Sequence, residues 1–191
     1  MTSSVHLTHR WSVESGIMPF MPRGLTTAVI GATGAVGKEL INLLSSRRFP
    51  VSDLILLASP RSAGQTAVFE GSPLMVREAV PSELAGVDVA FFSAGSSTSK
   101  RLAREAAANG SLVIDNSSAF RMEPDVPLVV PEVNMGAVGA DDRLIANPNC
   151  TAILLLLALS PLRQLGEIDR VIVSTYQSAS GAGALAMQEL V

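Results

Sequence analysis

The sequence predicts an α/β fold, a doubly wound and mostly parallel sheet that runs into the beginning of a second, α+β catalytic or dimerisation domain. Three observations predict it. From Leu25 onward, β-branched apolar runs alternate with segments whose apolar residues recur at helical spacing. Three glycines, at 31, 34 and 37, stand where the first such run meets the first helical segment. The 191 residues are 48% hydrophobic and hold one cysteine, so a large core must be held by packing without an internal disulfide.

Residues 26–30 are β-branched and apolar and predict the first strand. After the glycines, Val36, Leu40, Ile41, Leu43 and Leu44 share one helical face, Lys38, Glu39 and Asn42 take the other, and Pro50 closes the unit. Residues 53–59 predict a second buried strand, with a polar turn at 60–64. A strand at 87–94 precedes a helix at 96–109, which ends at Gly110 as a C-cap, and 112–115 predict a further strand. The apolar run 152–159 is far shorter than the roughly 20 residues of a membrane span and reads as a buried helix. Residues 170–177 predict a strand opening the second domain, with a helix starting near Ala184. The expected division is a disordered extension over 1–24, a dinucleotide-binding domain over 25–149, and an incomplete second domain over 150–191.

A net charge of -3 gives no reason to expect a nucleic-acid partner, and neither a membrane partner nor a metal site is expected. The first 24 residues hold Trp11 and Glu14 and lack an apolar core of the kind a secretory signal needs. They read as a disordered extension or an over-long start, with an organelle transit segment as the other reading. A lone cysteine suits a reducing compartment, and a cytoplasmic location is expected.

Glycine at 31 permits a tight turn, at 34 a close approach of backbone to a pyrophosphate, and at 37 close helix packing. The amides of Thr33, Ala35 and Val36, at the start of the helix, then meet the phosphate charge. The spacing G-x-x-G-x-x-G leaves a glycine turn that binds nothing as the alternative. An acidic residue after the second strand would accept a bond from a ribose 2′-hydroxyl. Here Ser59, Pro60, Arg61 and Ser62 follow instead, and hydroxyls with a guanidinium suit a 2′-phosphate, so NADP is expected over NAD. The alternative for Arg61 is a solvated turn. Ser93 to Thr98 place small hydroxyl residues and Gly95 at the next strand exit, where they can cap the helix, line a cofactor crevice through Ser93 and Gly95, or both.

Asn149 is a good N-cap for the apolar helix, which puts Cys150 in the first turn, where the helix dipole favours a thiolate nucleophile. The alternative is a small buried hydrophobe. Beside a dinucleotide loop, the natural chemistry is thiol addition to an aldehyde, hydride transfer to NADP, and release of the acyl group by phosphate. Such chemistry needs a base, and the only histidines, His6 and His9, stand in the N-terminal stretch.

Segments 31–37, 57–64, 91–96, 113–121, 128–134, the Asn-Pro-Asn-Cys that ends at Cys150, and 174–183 together resemble aspartate-semialdehyde dehydrogenase, in that family's order. The resemblance implies a Rossmann-type domain and NADP-dependent conversion of 4-phospho-L-aspartate to L-aspartate 4-semialdehyde and phosphate. This step belongs to lysine, threonine, methionine and, in bacteria, cell-wall precursor synthesis. It implies Cys150 as nucleophile, Gln177 orienting substrate, Arg121 binding phosphate with Asn116 and Asn149 lining the site, and Gly181 and Gly183 near the nicotinamide. For Arg121 the alternative is an ion pair with Glu123 or Asp125, and for Gln177 an ordinary polar strand end. Pro60 and Thr151 depart from residues common in the family, alanine and serine. Family members continue well beyond 191 residues and supply there the base histidine, a substrate arginine, a lysine and most of a homodimer or higher assembly. The chain alone is therefore expected to be inactive. Other readings are an NADP-binding module without catalysis and N-acetyl-glutamyl-phosphate reductase, whose cysteine usually follows Asn-Pro-Gly.

Overall fold

Thr27, Ala28, Val29 and Ile30 have no exposed surface, which places β1 (Leu25–Ile30) at the centre of the fold. The computed structural model describes residues 24–178 and residue 189. Helix α1 (Ala35–Ser46) follows β1, then β2 (Val51–Ala58), an antiparallel hairpin of β3 (Thr66–Phe69) and β4 (Ser72–Met75), and the two-residue β5 (Arg77–Glu78). Next come β6 (Val89–Phe92), α2 (Ser96–Ala108), β7 (Leu112–Asp115), the single turn α3 (Pro131–Asn134), β8 (Leu144–Ala146) and α4 (Cys150–Leu159).

Six strands form one parallel sheet in the order β5-β2-β1-β6-β7-β8. The period of two along β1 sends Ala28 and Ile30 to one face and Val29 to the other. On the first face they pack with Leu102, Ala103 and Ala106 of α2 and with Phe92, Val113 and Leu144. On the second, Val29 packs with Ile41 and Leu44 of α1 and with Leu54 and Leu56 of β2. Burial of each such leucine or isoleucine stabilises the fold by roughly 1.5–3 kcal/mol before its entropy is counted.

The expected units around β1, α1, β2, β6, α2 and β7 are present, and Gly110, with φ at 99°, follows α2 as the expected left-handed residue. Four strands were not expected: β3, β4, β5 and β8, each of two to four residues. Two expectations are corrected. Helix α4 forms, but none of its residues is buried, and Leu154 is 70% exposed, because among the described residues nothing covers its outer faces. Residues 170–177 form no strand and are exposed, since no described segment offers them a ladder of N–H and C=O partners. The first 23 residues, with His6 and His9, and the expected helix near Ala184 lie outside the described residues, as do Gly181 and Gly183. Among the described residues, no helix is long and apolar enough to cross a membrane.

Candidate active site at the carboxyl edge of the sheet

A parallel sheet brings the exits of all its strands to one edge, and at the point where the strand order reverses the loops part to leave a crevice. Here the reversal lies between β1 and β6. Backbone bonds carry the pairing past the strand ends: Gly31 N–H donates to Leu57 O (2.8 Å), Ser93 N–H to Ile30 O (2.8 Å), Asn116 N–H to Phe92 O (2.9 Å) and Asn147 N–H to Asp115 O (2.8 Å). The exits therefore stand in a row, from Ser59 after β2 through Gly31, Ser93 and Asn116 to Asn147 after β8.

Gly31 has φ at 95°, and a side chain on it would strike the Ser93 and Ala94 backbone at 2.7–2.8 Å. A Cβ on buried Gly37 would overlap the Gly31 carbonyl. The two glycines thus let the loop fold tightly against both α1 and the β6 exit. Gly34 is the N-cap of α1, its side has open space except for the Gly31 oxygen at 3.3 Å, and its own N–H donates to that oxygen at 3.0 Å. Gly34, Ala35 and Val36 are exposed and Thr33 is half-buried, so the start of α1 lies open, and its first-turn amides are unpaired within the helix. After β2, Pro60–Ser62 form one 3₁₀ turn closed by Ser62 and Ala63 N–H donating to Ser59 O (2.9 and 3.0 Å). Ser59 and Arg61 are exposed there, and among the described residues no carboxylate pairs with Arg61.

The hydroxyls after β6 do not cap α2. Its N-cap is Gly95, with φ at 85° and no side-chain capping bond. Three of the nearby serines are engaged elsewhere: Ser93 Oγ donates to Ile30 O (3.1 Å), Ser96 Oγ bonds Ser118 Oγ (2.9 Å), and Ser99 Oγ donates to Asp115 Oδ1 (2.7 Å).

Arg121 is half-buried and donates to two backbone carbonyls, Asn147 O from Nε (2.9 Å) and Asn116 O from Nη2 (3.1 Å). It makes no ion pair with Glu123 or Asp125. Those carboxylates belong to Arg104, at 3.9 and 2.8 Å, and its guanidinium holds the Asp125 carboxyl below the usual carboxylate range. Neutral acceptors thus fix the Arg121 guanidinium and leave its charge available. Asn147 Nδ2 donates to Asn116 Oδ1 at 2.6 Å, which locks the two loops together. Asn149 caps α4, accepting from Thr151 N–H at 2.9 Å, and Cys150 opens the helix with its side chain exposed. Gln177 lies alongside, its Oε1 3.4 Å from Asn149 Nδ2, and Cys150 Sγ is 3.9 Å from Asn149 Oδ1.

The structure therefore brings Asn116, Arg121, Asn149, Cys150 and Gln177 to the β7 and β8 exits and the glycine loop to the β1 exit, and keeps Ser59, Arg61 and Ser62 at the far side of β1. Asn147 and Asp115 carry no role in the sequence reading. A second amide at a neighbouring strand exit was the available signal for Asn147, whereas the burial of Asp115 is visible only in the fold. Among the described residues, no group of three or more histidine, cysteine, aspartate or glutamate side chains is arranged to hold a metal ion.

The sequence profile of the semialdehyde dehydrogenase NAD-binding domain matches residues 26–140, and that of the semialdehyde dehydrogenase dimerisation domain matches 159–191. An aspartate-semialdehyde dehydrogenase of Synechocystis is 55% identical over 170 residues, which cover 89% of this chain and 50% of that protein. The crystal structure of aspartate semialdehyde dehydrogenase II from Vibrio cholerae superposes with a TM-score of 0.82 at 45% identity, over 88% of this chain and 51% of that one. That of the Candida albicans enzyme with NADP gives 0.62 at 27% identity, over 76% and 49%. The chain spans about half the length of the curated relatives it matches. With this edge geometry and these matches, the chain belongs to the semialdehyde dehydrogenase family, carrying its nicotinamide-dinucleotide-binding domain and the beginning of its dimerisation domain.

Proposed function

We propose that the protein catalyses reversible, NADP-dependent conversion of 4-phospho-L-aspartate to L-aspartate 4-semialdehyde through a thioester on Cys150. The observation that carries this reading is the meeting, at two adjacent strand exits, of an exposed helix-opening cysteine and an arginine whose partners among the described residues are neutral. The names of the relatives support the substrate.

The cofactor fits the cradle at Gly31 and Gly37, where a side chain on Gly31 would strike the β6 exit and one on Gly37 the Gly31 carbonyl. Gly31, Thr33, Gly34, Ala35 and Val36 would hold the pyrophosphate at the start of α1, with Ser93 and Gly95 lining the crevice. Ser59, Arg61 and Ser62, free of any acid in their turn, would take the 2′-phosphate and so select NADP over NAD. NADPH, when bound, supplies the hydride for reduction.

In that direction the Cys150 thiolate attacks the acyl phosphate carbonyl, the carbon–sulfur bond forms, and the carbon–oxygen bond to phosphate breaks. Arg121, oriented by Asn116 and Asn147, holds the phosphate as it gathers charge. Asn149 and Gln177 orient the substrate beside the sulfur. After reduction, collapse of the thiohemiacetal returns the electron pair to sulfur and frees the aldehyde. The described residues hold no histidine, so the proton-transfer group is assigned to the half of the relatives' length that this chain does not span. On this reading residues 25–149 form the NADP domain, residues from Cys150 belong to the catalytic and dimerisation domain of a cytoplasmic homodimer or higher assembly, and Gly181 and Gly183 approach the nicotinamide.

The test is phosphate-dependent NADP reduction by L-aspartate 4-semialdehyde, with the full-length protein and its Cys150→Ala variant. Loss of at least about a thousandfold in kcat is expected in the variant. Turnover without phosphate, or unchanged by the substitution, defeats the reading.

A further inference from the structure

We propose that Asp115 is a positioning residue for anion recognition, its buried carboxylate fixing the loop that presents the Arg121 guanidinium. The inference rests on the reaction proposed above. Asp115 ends β7, has no exposed surface, and among the described residues pairs with no cation. A buried carboxylate is tolerated only where donors converge on it. Three do: Ser99 Oγ (2.7 Å) and Ser117 N–H (3.2 Å) on Oδ1, and Ser117 Oγ (2.8 Å) on Oδ2.

The donors come from two places. Ser99, itself wholly buried, sits on α2, a helix packed against the sheet. Ser117 begins the irregular loop that leads to Arg121, and its hydroxyl also accepts from Ala119 N–H at 3.0 Å. The carboxylate thus ties the start of a loop without regular structure to a rigid helix. The Asp115 carbonyl meanwhile accepts from Asn147 N–H at 2.8 Å. Side chain and backbone of this one residue therefore hold both segments, 116–121 and 147, whose carbonyls grip Arg121. An apolar residue of similar size would fill the same space and keep the backbone bond to Asn147, but would leave the start of the loop untied. Asp115 touches no reacting atom. It acts through Ser117 on the loop, and through the loop on Arg121.

The test uses the full-length protein. Ser117→Ala removes a donor to Asp115 and the acceptor of Ala119 N–H, and should raise the phosphate KM about tenfold while the NADP dissociation constant stays within about twofold. Asp115→Ala should do at least as much. In Asp115→Asn the amide oxygen still accepts from Ser99 and Ser117 N–H, and the Ser117 hydroxyl can turn to accept from the amide. That variant should keep the phosphate KM within about threefold of wild type. A wild-type phosphate KM in both alanine variants overturns the proposal. So does parallel weakening of phosphate and NADP binding with a lowered Tm, the mark of a merely structural role. Absence of phosphate-dependent turnover in the wild type overturns the reaction itself. In that case phosphate protection of Cys150 from iodoacetamide reads the loop: protection weakened in Ser117→Ala sustains the proposal, and protection unchanged or absent ends it.

Discussion

Helices α2 and α4 have similar lengths and opposite compositions, and their burial runs opposite to what composition alone implies. Helix α2 is rich in serine and charge, yet Ser99, Leu102, Ala103 and Ala106 are buried, at the i, i+3, i+4, i+7 spacing of one face. Helix α4 is apolar all round, and none of its residues is buried. The difference lies in what stands opposite. Helix α2 rests on β6 and β7, which supply an apolar surface, whereas α3 and the turn after Leu159 are what chiefly lies against α4 among the described elements. Apolar residues set how much surface a helix can bury, and the neighbouring layer sets how much it does. Cys150, the proposed nucleophile, stands where these two regimes meet, at the first residue of α4 and beside β8, the last strand of the sheet.

The largest expected effect tests this contrast directly. In the 191-residue chain, Leu102→Ala should lower the unfolding free energy by about 2–5 kcal/mol, because it empties a wholly buried position. Leu154→Ala should change it by less than about 0.5 kcal/mol, since that side chain leaves one exposed state for another. Urea titration of both variants measures the pair. Equal losses would mean that α4 is covered in solution.

The same contrast explains which parts of the fold were legible in the sequence. The central strands and α2 declare themselves locally, through β-branched runs, glycines and a one-faced apolar pattern. Strand β8 is three residues long and exists because Val113, Ile114 and Asp115 offer it a ladder, which no local pattern announces. Residues 170–177 show the reverse, since Val171, Ile172, Val173 and Thr175 favour a strand locally but no described neighbour pairs with them. At the site, Cys150 and its Asn149 cap could be read from four adjacent residues. The grip on Arg121 could not, because two carbonyls from segments 26 and 5 residues away make it. The serines after β6 look like caps in sequence, and become tethers only when β1 and β7 lie beside them.

The closed half of the molecule should also be the less forgiving at its loops. A Cβ at Gly37 meets the Gly31 carbonyl, which is backbone and cannot swing aside. Gly37→Ala should therefore cost about 1–3 kcal/mol of stability, with a matching loss of dinucleotide binding. Calorimetric melting together with NADP titration checks both. Arg61 is exposed and pairs with no carboxylate among the described residues, so Arg61→Ala should leave melting unchanged and raise the NADP dissociation constant about tenfold, without altering that of NAD. Equal weakening of the two cofactors would remove the 2′-phosphate role from this arginine.

The smallest effect sits on the outer side of the loop that carries Arg121. Arg104 donates to both Asp125 oxygens, at 2.8 and 3.2 Å, lies 3.9 Å from Glu123, and sets its guanidinium 5.4 Å from the centre of the Phe120 ring. The bond from Arg104 lowers the Asp125 pKa, so the folded state binds that proton less readily than the unfolded chain does. The resulting stabilisation is complete above the ordinary carboxylate range, about pH 4, and is lost as pH falls through the lower folded value. The pair is exposed, so salt should weaken it as well. The Tm gap between wild type and Arg104→Met, whose side chain keeps an apolar stem over the ring, should hold steady from about pH 7 to 5 and close near pH 2. A gap that survives acid and salt would assign the contribution of Arg104 to its packing on Phe120. The loop would then be fastened by the apolar face of the sheet domain, and the ion pair would lie on top of a fold already closed.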